Sequence, residues 1–494
     1  MLRSLQSRGT VFGRAPRVLG SCRRCSNNSP DDEVVLKGWA KSVRLHGKLV
    51  FAHISDGLSP EPMQVVMHKK LLPKTGDVWS KLNTHISFEV GGKIVDSIGP
   101  DQDKEMSASS FKAHGFCKLD DMPVSIMTRN QSLHQLPSHL RAKDFRFQAV
   151  LRMRHHARRS AQKFFDDRNF IYIDTPTLTP NDCEGGGQVF QVEAATRKDS
   201  SQFFGEPMFL TVSGQLELEM MANGIAKVYT LSPAFRAEED TSARHLAEFR
   251  MLEAEIAFTD KLEDLTELTE GVYKTVVRDI LNNHTKELEE IFVETPDELD
   301  PHLKYLQATV DKPFITIPYH DAIDLLNESG EQFQFQPGAD HDLKTEHERY
   351  LIKHFSPTPV FVTDFPQAGK PFYARANDDE RQTAAAFDLL TGSVCELAGG
   401  TLREQRVEVL TPRLETLGIL ERFQPYLESR KLGGAAHGGF GIGFDRLISH
   451  VTRLNSLIDV TPFPRRHVNR KDAASADDTQ EVENAENETG TSDR

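Results

Sequence analysis

A glycine-rich segment near the carboxyl terminus constrains the fold most strongly. Gly438–Arg446 has the sequence GGFGIGFDR and precedes a helix predicted over Leu447–Arg453. Its spacing begins like the dinucleotide-binding pattern GxGxxG, but Arg446 occupies the sixth position and no βαβ unit follows. A Rossmann fold is therefore excluded. An arginine at a helix start, directly after glycines, instead predicts a phosphate-binding site.

A predicted hairpin carries a second group of charged residues. Within Ser232–Phe258, the first strand carries FRAE (235–238), and a polar loop then leads to RHLAEF (244–249). An arginine at each end of a hairpin, with an aromatic residue after it, can clamp a polyphosphate and stack on a purine. The hairpin therefore predicts a nucleotide site.

Two further segments combine glycines with polar residues. Val394–Arg406 places Glu396 on a predicted strand before a glycine pair, where a carboxylate could hold Mg²⁺ against a phosphate. Thr211–Glu219 has the sequence TVSGQLELE and follows Glu184 and three consecutive glycines. Such glycines let a backbone approach a ligand, although a plain loop explains them equally well.

Residues 33–125 predict a small β domain. Turn clusters separate five short apolar runs, at 34–39, 48–54, 63–67, 85–95 and 110–116. Five strands in this length are typical of an OB-type barrel, whose open face binds single-stranded nucleic acid by stacking bases on aromatic side chains. Trp39, Phe51 and Arg44 would supply such a surface. The alternative places both aromatics in the core, which we favour for Trp39 and leave open for Phe51.

A basic amphipathic helix is predicted over Arg141–Arg168. Its apolar positions have helical spacing, and its basic residues are Arg141, Lys143, Arg146, Arg152, Arg154, Arg158, Arg159 and Lys163. Such a face is usually solvated. A predicted strand, Phe170–Asp174, follows the helix and ends before Pro176, because proline cannot donate to a strand ladder.

The two ends of the chain differ in charge. Residues 1–30 contain six arginines, no acid and no apolar core of a secretory signal. This composition predicts a mitochondrial presequence and a mitochondrial-matrix protein, or alternatively a disordered basic arm. The acidic, polar end predicts a disordered tail, because it cannot bury enough apolar surface. The expected organisation is presequence 1–30, OB domain 31–122, linker 123–142, catalytic domain 143–468 and tail 469–494.

Composition excludes several functional classes. The 494-residue chain has a net charge of −14, so any RNA contact must come from local basic surfaces and not from the overall field. No apolar run approaches the roughly 20 residues that span a bilayer, which excludes membrane insertion. Five cysteines are too few, and odd in number, for a disulfide-built scaffold.

In their order along the chain, these segments resemble motifs 1, 2 and 3 of the class II aminoacyl-tRNA synthetases. The helix–strand–proline segment, the FRxE–loop–RHxxxF hairpin and the strand–GxGxxR–helix segment correspond to the three motifs. An OB barrel before this domain is similar to the aspartyl, asparaginyl and lysyl branch. Resemblance to the asparaginyl members is carried by EGGGQVFQV (184–192), TVSGQLELE (211–219), RHLAEF (244–249), DLKTEHERYL (342–351), PFYARANDD (371–379) and HGGFGIGFDRL (437–447).

The resemblance implies an α+β fold in which an antiparallel class II synthetase sheet flanked by helices follows a five-stranded OB barrel. It implies a homodimer formed through Pro176 and the apolar face of the motif 1 helix. It also implies ATP-dependent ligation of L-asparagine to tRNA(Asn) through an asparaginyl-adenylate, with Mg²⁺ as the metal and mitochondrial translation as the role.

The motifs also imply roles for individual residues. Arg236 would bridge the α-phosphate and the substrate carboxylate, and Arg446 would contact the γ-phosphate and the purine. Glu396 would bind Mg²⁺, with Asp388 or Asp379 as weaker helpers. The other expected ATP-binding residues are Glu238, Arg244, His245, Leu246, Phe249, Gly443 and Asp445, with Arg244 and His245 on the β- and γ-phosphates and Phe249 stacked on adenine.

The remaining assignments concern the amino acid and the anticodon. The expected amino-acid-binding residues are Glu184, Ser213, Gln215, Arg236 and Arg403. Among these, Glu184 would take the α-ammonium group and Arg403 would meet the substrate side chain. In the barrel, Phe51 would stack on an anticodon base, with Gln64 at a base edge and Arg44 nearby.

Specificity for asparagine separates this function from its rivals. Aspartyl relatives carry a lysine for the substrate carboxylate where this chain has Leu218. A carboxylate near the pocket would accept from the substrate amide, and the candidates are Glu217, Glu238 and Glu255. A non-catalytic RNA-binding paralogue would lack the charged site residues, and an ammonia-dependent asparagine synthetase would need no OB barrel.

Overall fold

The structure is a computed structural model, which describes residues 17–18, 33–73, 81–99, 102–116, 133–180, 188–195, 201–240, 242–338 and 342–467. The described residues form two compact units, one from 17–116 with 139–152 and one from 133–138 with 153–467. The division follows Arg152, whereas the sequence predicts a catalytic domain that begins at 143. The expected tail and, apart from Arg17–Val18, the expected presequence lie outside the described residues.

The first unit is a closed five-stranded β-barrel. Its strands are β2 (Val34–His46), β3 (Leu49–Ser55), β4 (Met63–His68), β5 (Ser87–Asp96) and β6 (Lys104–Gly115), and the two-residue strand β1 (Arg17–Val18) pairs with β2. Antiparallel pairs join β2 to β3, β3 to β4, β5 to β6 and β2 to β5. A parallel pair between β4 and β6 closes the ring. The predicted five strands are confirmed, and β2 and β6 are longer than predicted.

Alternation along the barrel strands separates the core from the outer surface. On β3, Val50, Ala52 and Ile54 are buried, whereas Phe51 points outward and is half-buried. On β2, Val34, Leu36 and Ala40 face inward, so Trp39 faces outward and is 43% exposed. The prediction that Trp39 is a core residue is therefore wrong.

The second unit is built on an eight-stranded sheet. In spatial order its strands are β13 (Ile315–Pro318), β14 (Val360–Pro366), β15 (Thr383–Thr391), β16 (Cys395–Leu402), β17 (His437–Gly443), β12 (Glu248–Ala257), β11 (Lys227–Phe235) and β7 (Ile171–Tyr172). The six central strands are antiparallel, and the two outermost pairs are parallel. The predicted antiparallel sheet and its hairpin are confirmed. The predicted strand at 170–174 is shorter, since only two residues pair.

Helices and short segments surround this sheet. The short strands β8 (Leu178–Thr179), β9 (Gln191–Val192) and β10 (Met208–Leu210) form a separate small sheet. The helices are α1 (Phe145–Asp166), α2 (Ser201–Phe204), α3 (Gln215–Ala222), α4 (Leu262–Asn283), α5 (Thr285–Ile291), α6 (Leu299–Asp311), α7 (Tyr319–Glu328), α8 (Thr345–Phe355), α9 (Val407–Thr416), α10 (Gln424–Lys431), α11 (Phe444–Thr452) and α12 (Leu457–Val460). Short 3-10 helices lie at Lys69–Leu71, Leu133–Gln135, Arg141–Lys143, Pro296–Glu298, Gln367–Gly369 and Gly392–Val394. Among the described helices, none combines the length and apolar character that a bilayer span requires.

Helix α1 is the predicted basic helix, shortened at both ends. The Asp144 carboxylate accepts from the backbone N–H groups of Arg146 and Phe147, at 2.8 and 3.3 Å, and so caps its first turn. The six apolar residues whose spacing predicted the helix are buried within this chain: Val150, Met153, Ala157, Ala161, Phe164 and Phe165. These six side chains therefore already pack inside one chain and are not available to a partner subunit, and the homodimer that the resemblance implies stays a prediction.

The basic residues of this segment are only partly solvated. Arg141 is 1% exposed, and its guanidinium lies 4.7 Å from the centre of the Phe147 ring. Arg152 is also buried and donates to the Gly57 carbonyl at 2.9 Å. Nearer the end of the helix, the basic residues Arg158, Arg159 and Lys163 are exposed. The expectation of a solvated face thus fails for the residues whose guanidinium groups have partners inside the protein.

Candidate active site

A cavity of about 540 Å³ lies in the second unit, bounded by strands of the eight-stranded sheet and by helices α3, α8 and α11. The sequence-predicted residues that line it are Ser213, Gln215, Arg236, Glu238, Arg244, His245, Leu246, Phe249, Glu396, Arg403, Gly443, Asp445 and Arg446. Glu184 lies outside the described residues. Residues that are far apart in sequence therefore line the same cavity.

The hairpin of β11 and β12 brings Arg236 to the cavity. The backbone N–H of Arg236 donates to the Ala247 carbonyl at 3.1 Å, which extends the strand pairing by one step. Its guanidinium lies 5.6 Å from the centre of the Phe249 ring and 3.8 Å from Glu238 Oε1. The arginine and the aromatic ring thus form one surface, suited to a planar base beside an anionic group.

The loop between these two strands carries the next basic residues. Arg244 Nη2 donates to Thr345 Oγ1 at 2.8 Å, which connects the loop to the start of α8. His245 Nδ1 lies 2.6 Å from Ser242 Oγ and 3.1 Å from Asp240 Oδ2. These contacts hold two cationic or protonatable groups at the cavity wall, where they can face phosphate oxygens.

Arg446 and Glu396 meet across neighbouring strands. Helix α11 begins at Phe444, three residues earlier than predicted, so Arg446 lies in its first turn. Arg446 Nη1 donates to the Glu396 carbonyl at 2.7 Å and lies 3.4 Å from Glu396 Oε2. Burial opposes ionisation of Glu396, but Arg446 and other cations hold the pKa of this carboxyl below its usual value. Glu396 is therefore available as an anionic ligand.

Two more carboxyl groups share the space around Glu396. A Cβ on Gly399 would lie 3.4 Å from Asp388 Oδ1 and 3.5 Å from Glu396 Oε1, so both oxygens face the same gap. Burial raises the pKa of Asp388 to about 6, opposed by Lys370 and assisted by Glu396. Burial and Glu396 likewise raise the pKa of Glu348 to about 7. Carboxyl groups that lie this close together repel one another when ionised, and a bound cation would offset that repulsion.

Sequence reasoning missed Glu348. It lies on α8 within the DLKTEHERYL stretch, whose resemblance was noted without a role for this residue. Asp379, named from sequence as a helper of Glu396, does not line the cavity, and its carboxylate instead accepts from the Thr383 N–H at 3.0 Å. The sequence could not choose between these acids because the choice depends on where α8 packs.

A buried ion-pair network occupies another part of the cavity wall. Arg403 donates to both oxygens of Glu255, from Nε at 3.0 Å and Nη2 at 2.9 Å, and Nη1 donates to Thr401 Oγ1 at 2.6 Å. Glu219, fully buried, lies 3.7 Å from Arg403 Nε and accepts from Arg430. Burial opposes the charge of Glu219, yet these arginines lower its pKa. The network fixes a guanidinium and a carboxylate side by side.

The start of α3 completes this region. Ser213 Oγ and the Gly214 N–H both donate to Glu253, the latter at 3.0 Å. Gln215 Nε2 donates to Glu219 Oε1 at 2.9 Å. Leu218 is 1% exposed and packs against Ala222 and Val228 in a small apolar cluster. It also lines the cavity. No cation stands at this position.

Comparisons with known proteins agree on one family. The family described as "tRNA synthetases class II (D, K and N)" matches residues 130–467. Human asparaginyl-tRNA synthetase is 39% identical over 447 residues, covering 89% of this chain and 91% of the relative. The asparagine–tRNA ligase of Solibacter usitatus is 38% identical over 455 residues, covering 90% of this chain and 97% of the relative.

The chain belongs to the class II tRNA synthetases. It is therefore an aminoacyl-tRNA ligase. A solved structure agrees, because the asparaginyl-tRNA synthetase of Pyrococcus horikoshii complexed with asparaginyl-adenylate superposes with a TM-score of 0.78 and 26% identity, covering 90% of this chain and 97% of that one. The barrel followed by an antiparallel sheet with helices is the fold of this class.

In this class II synthetase, Asp445 supports the site and does not offer a free carboxylate. It is 2% exposed and accepts from Arg154 Nη1 at 2.6 Å through Oδ1. Its Oδ2 accepts from the backbone N–H of Arg250 at 2.8 Å, on the strand that carries Phe249. The residue expected to bind ATP thus connects helix α1, strand β12 and helix α11.

The synthetase barrel presents a separate polar and aromatic face. Arg44, Phe51 and Val66 lie side by side across β2, β3 and β4. In the adjacent row, His53 pairs with Gln64, whose Nε2 donates to Glu105 Oε2 at 2.7 Å. The structure therefore places all three expected anticodon residues on one outward face of the barrel.

Proposed function

We propose that this class II synthetase ligates L-asparagine to tRNA(Asn) through an asparaginyl-adenylate formed from ATP, for translation in the mitochondrial matrix. The observation that carries the proposal is the buried Arg403–Glu255 pair. It lies in the same cavity as Arg236, Arg446 and an acid cluster formed by Glu348, Asp388 and Glu396. The asparagine-specific names of the relatives and the adenylate bound in the Pyrococcus structure support the choice of substrate.

In the first step, an oxygen of the asparagine carboxylate attacks the α-phosphorus of ATP. The bond from that phosphorus to the bridging oxygen of the β-phosphate breaks, and pyrophosphate leaves. The nucleophile is already ionised, so the protein needs no base and must instead offset negative charge and align the reactants. Arg236 stabilises the pentavalent α-phosphate, while Arg244 and Arg446 hold the outer phosphates.

In the second step, a ribose hydroxyl at the tRNA 3′ end attacks the acyl carbon of the adenylate. AMP leaves, and an ester forms between asparagine and tRNA. Phe249 and Arg446 provide flat surfaces that fit the two faces of the adenine ring, which would hold the adenylate between the steps. The adenine therefore stays at the same position in the cavity during pyrophosphate release and during acyl transfer.

The acid cluster suits Mg²⁺. Glu396, Asp388 and Glu348 offer only oxygen donors, which is the ligand chemistry that Mg²⁺ prefers, and they leave room for substrate phosphates. Burial and, to a smaller extent, repulsion from Glu396 raise the pKa values of Asp388 and Glu348, and a cation bound there would relieve that repulsion. When bound there, Mg²⁺ would neutralise charge on the outer phosphates of ATP.

Recognition of the asparagine side chain follows from the Arg403–Glu255 pair. The guanidinium can donate to the amide oxygen, and the carboxylate can accept from the amide NH₂ group. Aspartate would place its own carboxylate against Glu255, and Leu218 offers no positive charge to offset it. Of the three candidate carboxylates, Glu217 does not line the cavity, and Glu238 lies beside Arg236 instead.

Amino-acid-dependent exchange of pyrophosphate into ATP tests this function. The full chain should catalyse the exchange with asparagine at least about 10³-fold more efficiently than with aspartate or lysine. Charging of tRNA(Asn) with asparagine should follow. A chain that exchanges pyrophosphate with aspartate alone would be an aspartyl enzyme, and one with no exchange on any amino acid would contradict the proposal.

We also propose a homodimer, through a surface other than the apolar face of α1. Strand β7 is the described strand at one edge of the eight-stranded sheet, and its Ile171 and Tyr172 are 51% and 45% exposed. Met221 and Ile225, at the end of α3, are also exposed. An exposed strand edge with apolar neighbours is typical of a protein interface. Sedimentation of the full chain should give the mass of a dimer.

The mitochondrial assignment rests on the arginine-rich, acid-free composition of residues 1–30. A reporter fused to residues 1–35 should enter mitochondria, whereas the same fusion with its arginines replaced by glutamine should stay in the cytosol. A wild-type fusion that stays in the cytosol would contradict the assignment.

A further inference from the structure

A second group of metal-ligating side chains lies away from the cavity, where α1 approaches the junction of α4 and α5. His156 belongs to α1, His284 separates the two later helices, and Glu287 lies in the first turn of α5. One ligand atom from each residue, two ring nitrogens and a carboxylate oxygen, can be chosen so that all three lie within 4.8 Å of one another. The adenylation chemistry described above uses none of them.

The three residues are held by regular structure and by burial. Glu287 is 6% exposed, and both histidines are half-buried. The two imidazole rings stack with their centres 3.6 Å apart. The group is thus shielded from bulk water on most sides, while the half-buried rings leave a route from solvent.

A second carboxylate, that of Asp279, lies beside His284 from outside the group. Asp279 Oδ2 lies 3.6 Å from His284 Nε2, which leaves Nδ1 of the same ring for another partner. Ser160 Oγ donates to this carboxylate, and Asn283 Nδ2 donates to it at 2.7 Å. A carboxylate that faces one nitrogen of a histidine, while the other nitrogen binds a metal, is a common arrangement around protein-bound zinc.

The electrostatics also favour a cation. Asp279 and Glu287 bring two carboxyl groups to a place with two imidazoles. Each imidazole ring has two nitrogens, and in the neutral ring one of them carries a lone pair that can bind a metal ion. Metal ions bind the neutral form of histidine.

We propose that His156, His284 and Glu287 bind a divalent transition-metal ion, Zn²⁺, with water as the fourth ligand. Two imidazole nitrogens and one carboxylate are a zinc ligand set, whereas Mg²⁺ prefers oxygen donors alone. Tetrahedral bonds of about 2.1 Å place ligand atoms about 3.4 Å apart. Ligand atoms that now lie up to 4.8 Å apart must therefore approach by as much as about 1.4 Å, through rotation of the half-buried rings. The ion would connect α1 to α4 and α5.

The experiment uses the full-length chain, freed of metal with a chelator and then titrated with Zn²⁺ against a fluorescent zinc indicator. The variants are His156→Ala, His284→Ala and Glu287→Gln. The matched controls are His155→Ala, an exposed neighbour on α1, and Glu289→Gln, an exposed acid on α5. Circular dichroism checks that each variant is folded.

The wild type and both controls should bind one more Zn²⁺ per chain than the three variants, and Zn²⁺ should raise the thermal midpoint of the wild type but not of His156→Ala. Co²⁺ should give the visible absorption band of a tetrahedral site in the wild type, a readout that does not depend on any variant folding. The same zinc stoichiometry in His156→Ala and His155→Ala, or no tetrahedral Co²⁺ band in the wild type, would overturn the proposal.

Discussion

At the scale of single residues, Glu255 and Arg403 determine how the cavity can distinguish an amide from a carboxylate. Both are buried, and two parallel hydrogen bonds of 2.9 and 3.0 Å fix the carboxylate beside the guanidinium. Glu219 and Arg430 lie behind them and balance their charges. Because buried charges are costly when unpaired, a change at Glu255 should alter both affinity and selectivity.

Glu255→Gln should reduce kcat/KM for asparagine activation about 10²-fold and raise the aspartate-to-asparagine ratio about tenfold, because the amide loses a charged acceptor and aspartate loses a repulsive partner. Pyrophosphate exchange with each amino acid measures both effects. Glu217→Gln, which changes an acid outside the cavity, is the control and should alter neither value by more than about twofold. An unchanged ratio in folded Glu255→Gln would remove this residue from amide recognition.

Glu348 should make stability depend on pH. Its folded pKa of about 7 lies above the ordinary value of 4.5, so the folded chain binds the proton more tightly than the unfolded chain. Stability from this group is therefore full below about pH 4.5 and is lost as the pH rises through 7. Without Mg²⁺, Glu348→Gln should raise the free energy of unfolding by about 1–2 kcal/mol at pH 8 and change it little at pH 4.5.

The control for that prediction is Glu346, whose pKa is shifted in the opposite direction. The Glu346 carboxylate accepts from the N–H groups of Phe335 and Gln334, at 2.7 and 2.8 Å, and these bonds lower its pKa. Its contribution is present above the ordinary pKa and is lost in acid, so Glu346→Gln should be destabilising at pH 8. Urea unfolding at pH 4.5 and 8 compares the two variants, and parallel behaviour would show that Glu348 is not held in its protonated form.

At the scale of elements, helix α1 contacts the candidate nucleotide site through Arg154, which donates to Asp445. Arg154 donates to Asp445 at 2.6 Å and to the Val460 carbonyl at 3.0 Å, and its guanidinium lies 5.3 Å from the Phe444 ring centre. Asp445 precedes Arg446 and also accepts from the backbone of β12. Arg154 is therefore a positioning residue for the Arg446 and Phe249 surfaces.

Arg154→Ala should raise the KM for ATP about tenfold, with a smaller change in the KM for asparagine. It should also lower the free energy of unfolding by about 3 kcal/mol, because Asp445 stays buried after one of its partners is removed. Arg154→Lys should recover part of the ATP affinity. Arg158→Ala, an exposed arginine on the same helix, should behave as wild type. Equal increases in both KM values would show a general loss of structure and not a nucleotide effect.

At the scale of the whole molecule, the candidate active site and the expected anticodon face belong to different units. The adenylation cavity lies in the second unit, and the outward face with Arg44, Phe51 and Gln64 lies on the barrel. The net charge of −14 gives RNA no general attraction, so local contacts such as this face must supply tRNA affinity. Amino-acid activation and tRNA charging should therefore respond to different substitutions.

Phe51→Ala should leave asparagine-dependent pyrophosphate exchange unchanged and reduce kcat/KM for tRNA charging about 5- to 100-fold, as expected for loss of one base–aromatic stack. Ile98→Ala, at a barrel residue that is 98% exposed, is the control and should charge normally. Equal loss of both activities in Phe51→Ala would place this ring in a structural role.

Sequence alone determined the elements whose signals are local. Short apolar runs between turn clusters predicted the five barrel strands, and the arginine-bearing hairpin predicted the pairing of β11 with β12. The position of Glu396 on a strand and of Arg446 at a helix start followed from neighbouring glycines. In each case the deciding interactions lie within a few residues or one turn, so the pattern itself contains them.

Tertiary structure alone decided which charged and aromatic residues have partners. Arg154 and Asp445 lie 291 positions apart, and Glu348 reaches the acid cluster only because α8 packs beside β16. Trp39 faces outward because the register of β2 puts its neighbour Ala40 in the core. A sequence shows that a side chain is basic or aromatic, but its partners come from distant segments whose approach depends on packing of the whole chain.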